Sequence, residues 1–177
     1  KFCEFIGSRY AVSTNNGTSA CHLALLSSGV TSDDEVIVPS STFIACPNSV
    51  KYCGANVVLA DVDKYTWNIS LEEIKNKVTK KTKAVFLVHM LGNPCSQEIY
   101  DWCKKNNILC IEDACESIGA YLNSKKTGAL GDCSAFSFFG NKNITTGEGG
   151  MLTTDDEDIY IRAKYLRGQA QDSTYIH

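Results

Sequence analysis

Short apolar runs alternate with amphipathic segments along almost the whole chain. The runs are four or five residues long, rich in β-branched and aliphatic residues, and often bounded by Gly, Pro, Asn or Asp, which is the pattern of buried strands. The predicted strands are residues 10–13, 35–39, 56–60, 84–88, 108–111, 135–138 and 151–154. The intervening segments predict helices at residues 21–28, 43–52, 71–78, 97–106 and 155–167, and residues 1–6 predict the end of a helix that Gly7 caps.

This alternation of strands and helices predicts an α/β fold with a mostly parallel central sheet flanked by helices. Residues 121–127 interrupt the alternation as a hairpin or loop excursion. The 177 residues are enough for one domain with a substantial core, and no repeat or low-complexity linker divides them. We therefore expect residues 1–177 to belong to one domain.

The composition argues against several classes of function. The chain is 44% apolar with a net charge of -3, so it lacks the basic footprint of a nucleic-acid-binding protein. No apolar run reaches the length of a membrane span, and we expect no signal peptide at the start. Nine cysteines without a Cys-x-x-Cys pair, together with three histidines, favour buried reduced thiols in a cytoplasmic protein over disulfides or a metal site.

The most informative stretch is a glycine-rich loop that carries one lysine, Lys142, directly after the predicted strand 135–138. An unpaired ammonium is expensive to bury. Lys142 is therefore either a solvated loop residue or an amine that is held neutral or covalently linked. Lysine is the side chain that forms Schiff bases with carbonyl compounds.

A second stretch, Gly17-Thr18-Ser19, lies between a predicted strand and a predicted helix. A helix start offers unpaired backbone N–H groups and a favourable dipole to an anion, and two hydroxyls can add hydrogen bonds. The simpler interpretation is that Thr18 or Ser19 caps the helix.

Two carboxylates follow the apolar strand 108–111. Asp113 lies at the end of a strand that is buried on both faces, where a carboxylate needs a cationic partner. Glu116 lies three residues later and faces the same way if the chain makes a helical turn. At the ends of two other strands, Phe43 is either a ligand contact or a core residue, and we expect His89 to satisfy backbone groups rather than to act in the site.

These parts match the needs of one cofactor, pyridoxal 5'-phosphate (PLP), which requires an anion site, a carboxylate for the ring nitrogen and an amine for the aldehyde. The residues that meet these needs are Gly17, Thr18 and Ser19 for the phosphate, Asp113 for the ring nitrogen, Lys142 for the aldehyde, Phe43 for the ring face and Ser137 for a further phosphate hydrogen bond.

The chain resembles the PLP-dependent aminotransferases of fold type I that act on nucleotide-linked sugars, the DegT/StrS group. The matching stretches are residues 16–20, 34–39, 88–89, 111–114, 128–132 and 137–150, in the order of the family. The resemblance implies an aspartate-aminotransferase-like large domain. It also implies that Lys142 forms the Schiff base, Asp113 pairs with the ring nitrogen, Glu116 approaches the phenolic oxygen, Thr18, Ser19 and Ser137 hold the phosphate, and Phe43 stacks on the ring.

The resemblance further implies a reaction. L-glutamate would donate the amino group, and a nucleotide-linked 4-keto-6-deoxy sugar would accept it at C-4. The run from residue 137 to residue 151 is most similar to the branch of the family that uses a GDP-linked sugar. The alternatives are a UDP- or dTDP-linked sugar, a PLP-dependent sugar dehydratase, whose branch carries histidine where Lys142 stands, and a PLP-binding regulator without turnover.

The family's members are homodimers and are considerably longer than this chain. We therefore expect a second subunit to complete the site, and an N-terminal segment and a small C-terminal domain to lie outside these 177 residues.

Overall fold

A seven-stranded sheet lies at the centre of residues 1–171, the part of the chain that the computed structural model describes. Its strands are β1 (Tyr10–Thr14), β2 (Glu35–Pro39), β3 (Asn56–Ala60), β4 (Thr82–Val88), β5 (Leu109–Asp113), β8 (Cys133–Ser137) and β9 (Gly150–Thr154), and β6 (Tyr121–Leu122) and β7 (Lys125–Lys126) form a separate hairpin. The helices are α1 (Phe2–Ile6), α2 (Gly17–Ser27), α3 (Ala45–Tyr52), α4 (Leu71–Lys77), α5 (Gln97–Lys105) and α6 (Glu157–Arg167), with a 3-10 turn at Met90–Gly92.

The strand order is β1-β9-β8-β5-β4-β2-β3. Strands β8, β5, β4, β2 and β3 run parallel to one another, and β9 runs antiparallel to both β8 and β1. The predicted α/β fold with a mostly parallel sheet is confirmed. Because Val88 pairs with Asp113, and Asp113 pairs with Ala135, the carboxyl ends of β4, β5 and β8 meet at one edge of the sheet.

The core lies on both faces of the sheet. Alternate residues of a strand point to opposite faces, so Val36 and Val38 face one side and Ile37 the other. The first side packs against α2, α3 and α6, and the second against α4 and α5. Each fully buried aliphatic or aromatic side chain contributes about 1.5–3 kcal/mol relative to an exposed one, so these two layers hold the sheet edge that carries the site.

Three helices begin at residues other than those predicted. Helix α2 begins at Gly17 rather than residue 21, because the Asn16 side chain accepts a hydrogen bond from the Ser19 amide and caps the helix. Helix α3 begins at Ala45 rather than residue 43, and α6 at Glu157, with Asp156 rather than Asp155 as its cap. Capping by Thr18 or Ser19 is therefore wrong, and the first turn of α2 is available to a ligand.

The predicted domain of residues 1–177 includes residues 172–177, which lie outside the residues that the structure describes. Among residues 1–171, no helix combines the length and the apolar character needed to cross a bilayer.

Candidate active site

A cavity of about 440 Å³ opens at the edge of the sheet where β4, β5 and β8 end. Seven of the eight predicted cofactor-binding residues line it, and these are Gly17, Thr18, Phe43, Asp113, Glu116, Ser137 and Lys142. The structure therefore brings together side chains that are up to 125 residues apart in the sequence (142 minus 17). The eighth predicted residue, Ser19, lines a separate depression with His22 and Arg167, so the structure does not bring its side chain to this cavity.

The start of α2 forms one wall of the cavity. Gly17 and Thr18 are the first two residues of the helix, so their amide N–H groups have no acceptor within it and are available to an anion. A Cβ atom at Gly17 would lie 2.8 Å from the Cβ of Ser137 and 3.0 Å from the Sγ of Cys115. Only glycine therefore lets the start of α2 come this close to Ser137 on β8.

Asp113 forms the floor of the cavity at the end of β5. Its side chain is 7% exposed, so the predicted burial is confirmed. One carboxylate oxygen, Oδ2, accepts a hydrogen bond from the Cys46 thiol at 3.0 Å, and Oδ1 accepts one from the Cys115 amide, also at 3.0 Å. Among residues 1–171, no Lys, Arg or His nitrogen lies within 4.0 Å of this carboxylate. A buried carboxylate that faces a cavity without a protein cation fits a cationic ring nitrogen of a ligand.

The thiol beside Asp113 is protonated at neutral pH. A hydrogen bond with Cys21 lowers the pKa of Cys46, but burial and the negative charge of Asp113 outweigh it and raise the pKa to about 11. Cys46 is thus a hydrogen-bond donor to the carboxylate, which stabilises its charged form.

Lys142 and Glu116 form an ion pair inside the cavity. Lys142 Nζ donates to Glu116 Oε1 at 3.1 Å, and the two side chains are 19% and 43% exposed. The chain passes from Asp113 to Glu116 through turns rather than a helical turn, yet both carboxylates reach the cavity. Glu116 also accepts a hydrogen bond from the Leu91 amide at 3.3 Å. The lysine is therefore held at the site and is not a freely solvated loop residue.

Phe43 and Ser137 complete the candidate cofactor pocket. Phe43 lines the cavity and is 75% exposed, so its interpretation as a core residue is wrong. The hydroxyl of Ser137 is nearly buried and accepts a hydrogen bond from the Phe139 amide at 3.3 Å, at the point where β8 becomes the lysine loop.

Behind the cavity, Glu112 is a buried carboxylate that the sequence analysis did not single out. Its side chain points to the face of β5 opposite Asp113 and accepts hydrogen bonds from the Gly128, Leu130 and Gly131 amides at 2.8–2.9 Å and from the Ser134 hydroxyl at 2.7 Å. Burial raises the pKa of Glu112, but its hydrogen bonds with His89 and with backbone amides outweigh burial, and the pKa lies below its usual range.

The ring of His89 links Glu112 to the cavity wall. Its Nδ1 accepts a hydrogen bond from the Cys95 amide at 3.2 Å, so the ring proton lies on Nε2, which is 2.8 Å from Glu112 Oε2. The prediction that His89 satisfies a backbone group is confirmed, and the residue belongs to the cavity wall although its side chain is fully buried.

Three residues of the site were missed or given no role by sequence reasoning, namely Asn16, Cys46 and Glu112. Asn16 precedes a predicted turn. The one feature of the sequence that could have identified its role is that asparagine is a favoured N-cap residue at the start of a helix. Nothing in the sequence pattern indicates that Cys46 lies against Asp113, because they are 67 residues apart.

Comparison with known proteins places the chain in a family of aminotransferases. Residues 1–177 match the model of the DegT/DnrJ/EryC1/StrS aminotransferase family, and the chain belongs to that family. It is 49% identical over 172 residues to GDP-perosamine synthase of Caulobacter vibrioides, a match that covers 97% of this chain and 46% of that protein. The resemblance inferred from the motifs is thereby confirmed.

Two solved structures show the same fold. The aminotransferase from Psychrobacter cryohalolentis matches with a TM-score of 0.91 and 36% identity, over 99% of this chain and 47% of that one. GDP-4-keto-6-deoxymannose-3-dehydratase with a trapped PLP-glutamate geminal diamine matches with a TM-score of 0.87 and 36% identity, over 92% of this chain and 44% of that one. The chain spans about half the length of the proteins that it matches.

Proposed function

We propose that the protein is a PLP-dependent aminotransferase that moves an amino group from L-glutamate to the C-4 ketone of a GDP-linked 4-keto-6-deoxy sugar. The observation that carries the proposal is the presence of the Lys142 amine and the buried Asp113 carboxylate in one cavity, with an anion cradle at Gly17. The aminotransferase family and the similarity to a GDP-perosamine synthase support the reaction and the GDP-linked sugar.

The residues around the cavity fit PLP group by group. The first amides of α2, with the hydroxyls of Thr18 and Ser137, would hold the phosphate. Asp113 would pair with the ring nitrogen and Phe43 would lie on a ring face. Ser19 remains a predicted phosphate contact only by resemblance, since its side chain lies outside the cavity lining.

The chain's own residues would supply binding and proton transfer. When bound, PLP provides an electron sink for the carbon that carries the amino group. Asp113 would keep a proton on the ring nitrogen, because its charged form is stabilised by the Cys46 thiol and the Cys115 amide. Lys142 Nζ would take the proton from the amine-bearing carbon of L-glutamate and later deliver one to the former ketone carbon of the sugar.

Glu116 would hold the lysine amine within reach during these transfers. Its carboxylate lies 3.1 Å from Lys142 Nζ and receives a backbone hydrogen bond from Leu91, so its position is fixed independently of a ligand. By resemblance, the same carboxylate would approach the phenolic oxygen of the cofactor.

We also propose that two copies of the protein complete the site. The surface around the cavity exposes Phe43, which lines the cavity and is 75% exposed, and Leu91, which is 85% exposed and donates its amide to the cavity-lining Glu116. Leu91 adopts a backbone φ of 52°, a conformation that is uncommon outside glycine. Contiguous exposed apolar surface marks interaction sites. The nine free thiols fit a cytoplasmic enzyme.

The alternatives differ in chemistry that one assay distinguishes. The whole protein is incubated in three separate reactions. Each contains L-glutamate and one of the GDP-, UDP- or dTDP-linked 4-keto-6-deoxy sugars. The proposal predicts 2-oxoglutarate and an equal amount of 4-amino sugar, fastest with the GDP-linked substrate. Equal or faster turnover of another nucleotide changes the assigned substrate. Loss of a sugar hydroxyl indicates a dehydratase, and cofactor binding without either product indicates a regulator.

Lys142→Ala is the matched variant for this assay, with Lys75→Ala as its control. Lys75 is exposed on α4, away from the cavity. The proposal predicts that product formation is lost in Lys142→Ala and unchanged in Lys75→Ala. Product formation in both variants would contradict the role given to Lys142.

A further inference from the structure

Two buried thiols lie beside Asp113, and the proposed chemistry does not explain them. Cys21 on α2 and Cys46 on α3 are fully buried, and their sulfur atoms and one carboxylate oxygen of Asp113 lie close together. A single buried cysteine behaves as a small apolar residue. Two thiols grouped with one carboxylate form instead a set of potential metal ligands.

We propose that Cys21, Cys46 and Asp113 form a binding site for Zn²⁺ at the floor of the cavity. Their two sulfur atoms and one carboxylate oxygen all lie within 4.8 Å of one another. In a tetrahedral zinc site with bonds of about 2.3 Å to sulfur, two sulfur ligands are about 3.8 Å apart. The present separations between the three ligand atoms therefore differ from those of a tetrahedral site by roughly 1 Å.

The ligand types select the class of metal. Thiolates bind Zn²⁺ and similar thiophilic ions and disfavour Mg²⁺ and Ca²⁺, which take oxygen ligands. Binding of the ion would release the protons of both thiols to solvent, and the resulting two thiolates and one carboxylate more than neutralise the charge of the divalent ion.

The cavity gives the ion a path to these ligands. Asp113 and Cys115 both line the cavity, and Cys46 lies directly behind Asp113, with 3.0 Å between its Sγ and Oδ2. An ion that enters the cavity therefore reaches the Asp113 carboxylate with the Cys46 sulfur directly beside it.

Zn²⁺ at this site would compete with the cofactor, an inference that rests on the proposed function. Asp113 would bind either the ring nitrogen of PLP or Zn²⁺, so the two ligands would exclude one another. When two ligands compete for one residue, Zn²⁺ at 100 times its own dissociation constant weakens the apparent affinity for PLP about 100-fold. The same coupling makes PLP weaken the binding of Zn²⁺.

Cd²⁺ tests the site directly, because cadmium thiolates absorb in the ultraviolet. The cofactor-free whole protein is titrated with Cd²⁺ in four forms: unmodified, Cys21→Ser, Cys46→Ser and Cys53→Ser. Cys53 is half-buried at the end of α3 and is absent from the cluster, so it is the matched control. The proposal predicts one tightly bound Cd²⁺ per chain, loss of its charge-transfer band in the two cluster variants, and a normal band in Cys53→Ser. A band that is absent from the unmodified protein, or equal in all four proteins, overturns the proposal.

Zn²⁺ X-ray absorption provides a second measurement that needs no variant. The unmodified protein with one equivalent of Zn²⁺ should show at least two sulfur ligands at about 2.3 Å and at least one lighter ligand at about 2.0–2.2 Å. A first shell without sulfur overturns the site even if a serine variant fails to fold.

Titration with PLP then separates the site from the proposed function. With bound Zn²⁺, the apparent dissociation constant for PLP should rise in the unmodified protein and in Cys53→Ser, but not in Cys46→Ser. An unchanged PLP affinity in the presence of bound Zn²⁺ overturns the sharing of Asp113. If the metal-free protein does not bind PLP, the proposed function fails while the Cd²⁺ result still decides the metal site.

Discussion

His89 Nε2 donates a hydrogen bond to Glu112 Oε2 over 2.8 Å, and both side chains are fully buried. His89 belongs to the cavity wall, whereas the carboxylate also accepts hydrogen bonds from three amides of the loop before β8. The pair therefore connects the loop before β8 to the wall of the site. It holds the edge of the sheet together without contacting the proposed reacting atoms.

Glu112→Gln should destabilise the fold because it removes the charged partner of this buried network. At neutral pH we expect the free energy of unfolding to fall by about 1–3 kcal/mol, because the amide cannot accept hydrogen bonds from all of the buried donors that the carboxylate binds. Denaturant unfolding of the cofactor-free protein measures this, with the exposed Glu72→Gln on α4 as a control that should change by no more than about 0.5 kcal/mol.

The loss of stability caused by Glu112→Gln should also depend on pH, and it should be larger at neutral pH than in acid. The pKa of Glu112 is lowered in the fold, so its contribution is complete above the unfolded pKa of about 4.3 and disappears as the pH falls through the folded pKa. The difference between the two proteins should therefore narrow in acid. A difference that stays constant from neutral pH to well below pH 4 would show that the charge of Glu112 has no part in stability.

Gly17→Ala should weaken PLP binding and stability together. The added Cβ would lie 2.8 Å from Ser137, so the start of α2 must shift away from β8, at a cost of about 1–3 kcal/mol. Gly140→Ala is the matched control, because a Cβ there meets no atom within 4 Å and its φ is not positive. Equal PLP affinity in both variants would contradict the anion cradle at Gly17.

Asp113→Asn should reduce transamination much more than it reduces PLP binding. The amide keeps the size of the side chain but removes the charge that would hold a proton on the ring nitrogen. Half-reaction rates with L-glutamate, measured beside PLP dissociation constants and cofactor-free unfolding, separate this role from a structural one. If the variant loses stability but keeps near-normal rates, Asp113 only organises the turn that it forms with Cys115.

The sequence was sufficient for the fold because each element is encoded locally. The strand at residues 35–39 and the helix at residues 71–78, for example, match β2 and α4 almost to the residue. Helix α2 was placed four residues late, since its first turn is fixed by the side chain of Asn16 rather than by an apolar pattern.

The site was predictable only where its residues stand at the ends of elements. Lys142, Asp113 and Gly17 follow this rule, and the parallel sheet brings them to one edge. Glu112 and Cys46 do not, because their roles depend on contacts between segments that are distant in the chain. Asn16 and Ser19 show the same limit at short range, since Asn16 caps the helix through the Ser19 amide and Ser19 lines a separate depression.

The exposed apolar rim of the cavity predicts a homodimer of the whole protein. Leu91→Asp places a charge at the most exposed of these side chains and should shift sedimentation toward the monomer, with a parallel loss of activity. Tyr65→Asp is the control, since Tyr65 is similarly exposed at 81% but, unlike Leu91, whose amide donates to the cavity-lining Glu116, makes no hydrogen bond within residues 1–171 to a residue of the cavity lining. An unmodified protein that sediments as an active monomer would contradict the shared site.

The identity of the lysine that binds PLP is the most direct test of the whole account. Borohydride reduction of the PLP-loaded protein, followed by peptide mapping, locates the lysine that has become covalently attached to the cofactor. The position of Lys142 beside Glu116 and in one cavity with Asp113 predicts a single modified peptide containing Lys142, and none in Lys142→Ala. A modified peptide that contains a different lysine, or label retained in Lys142→Ala, would contradict it.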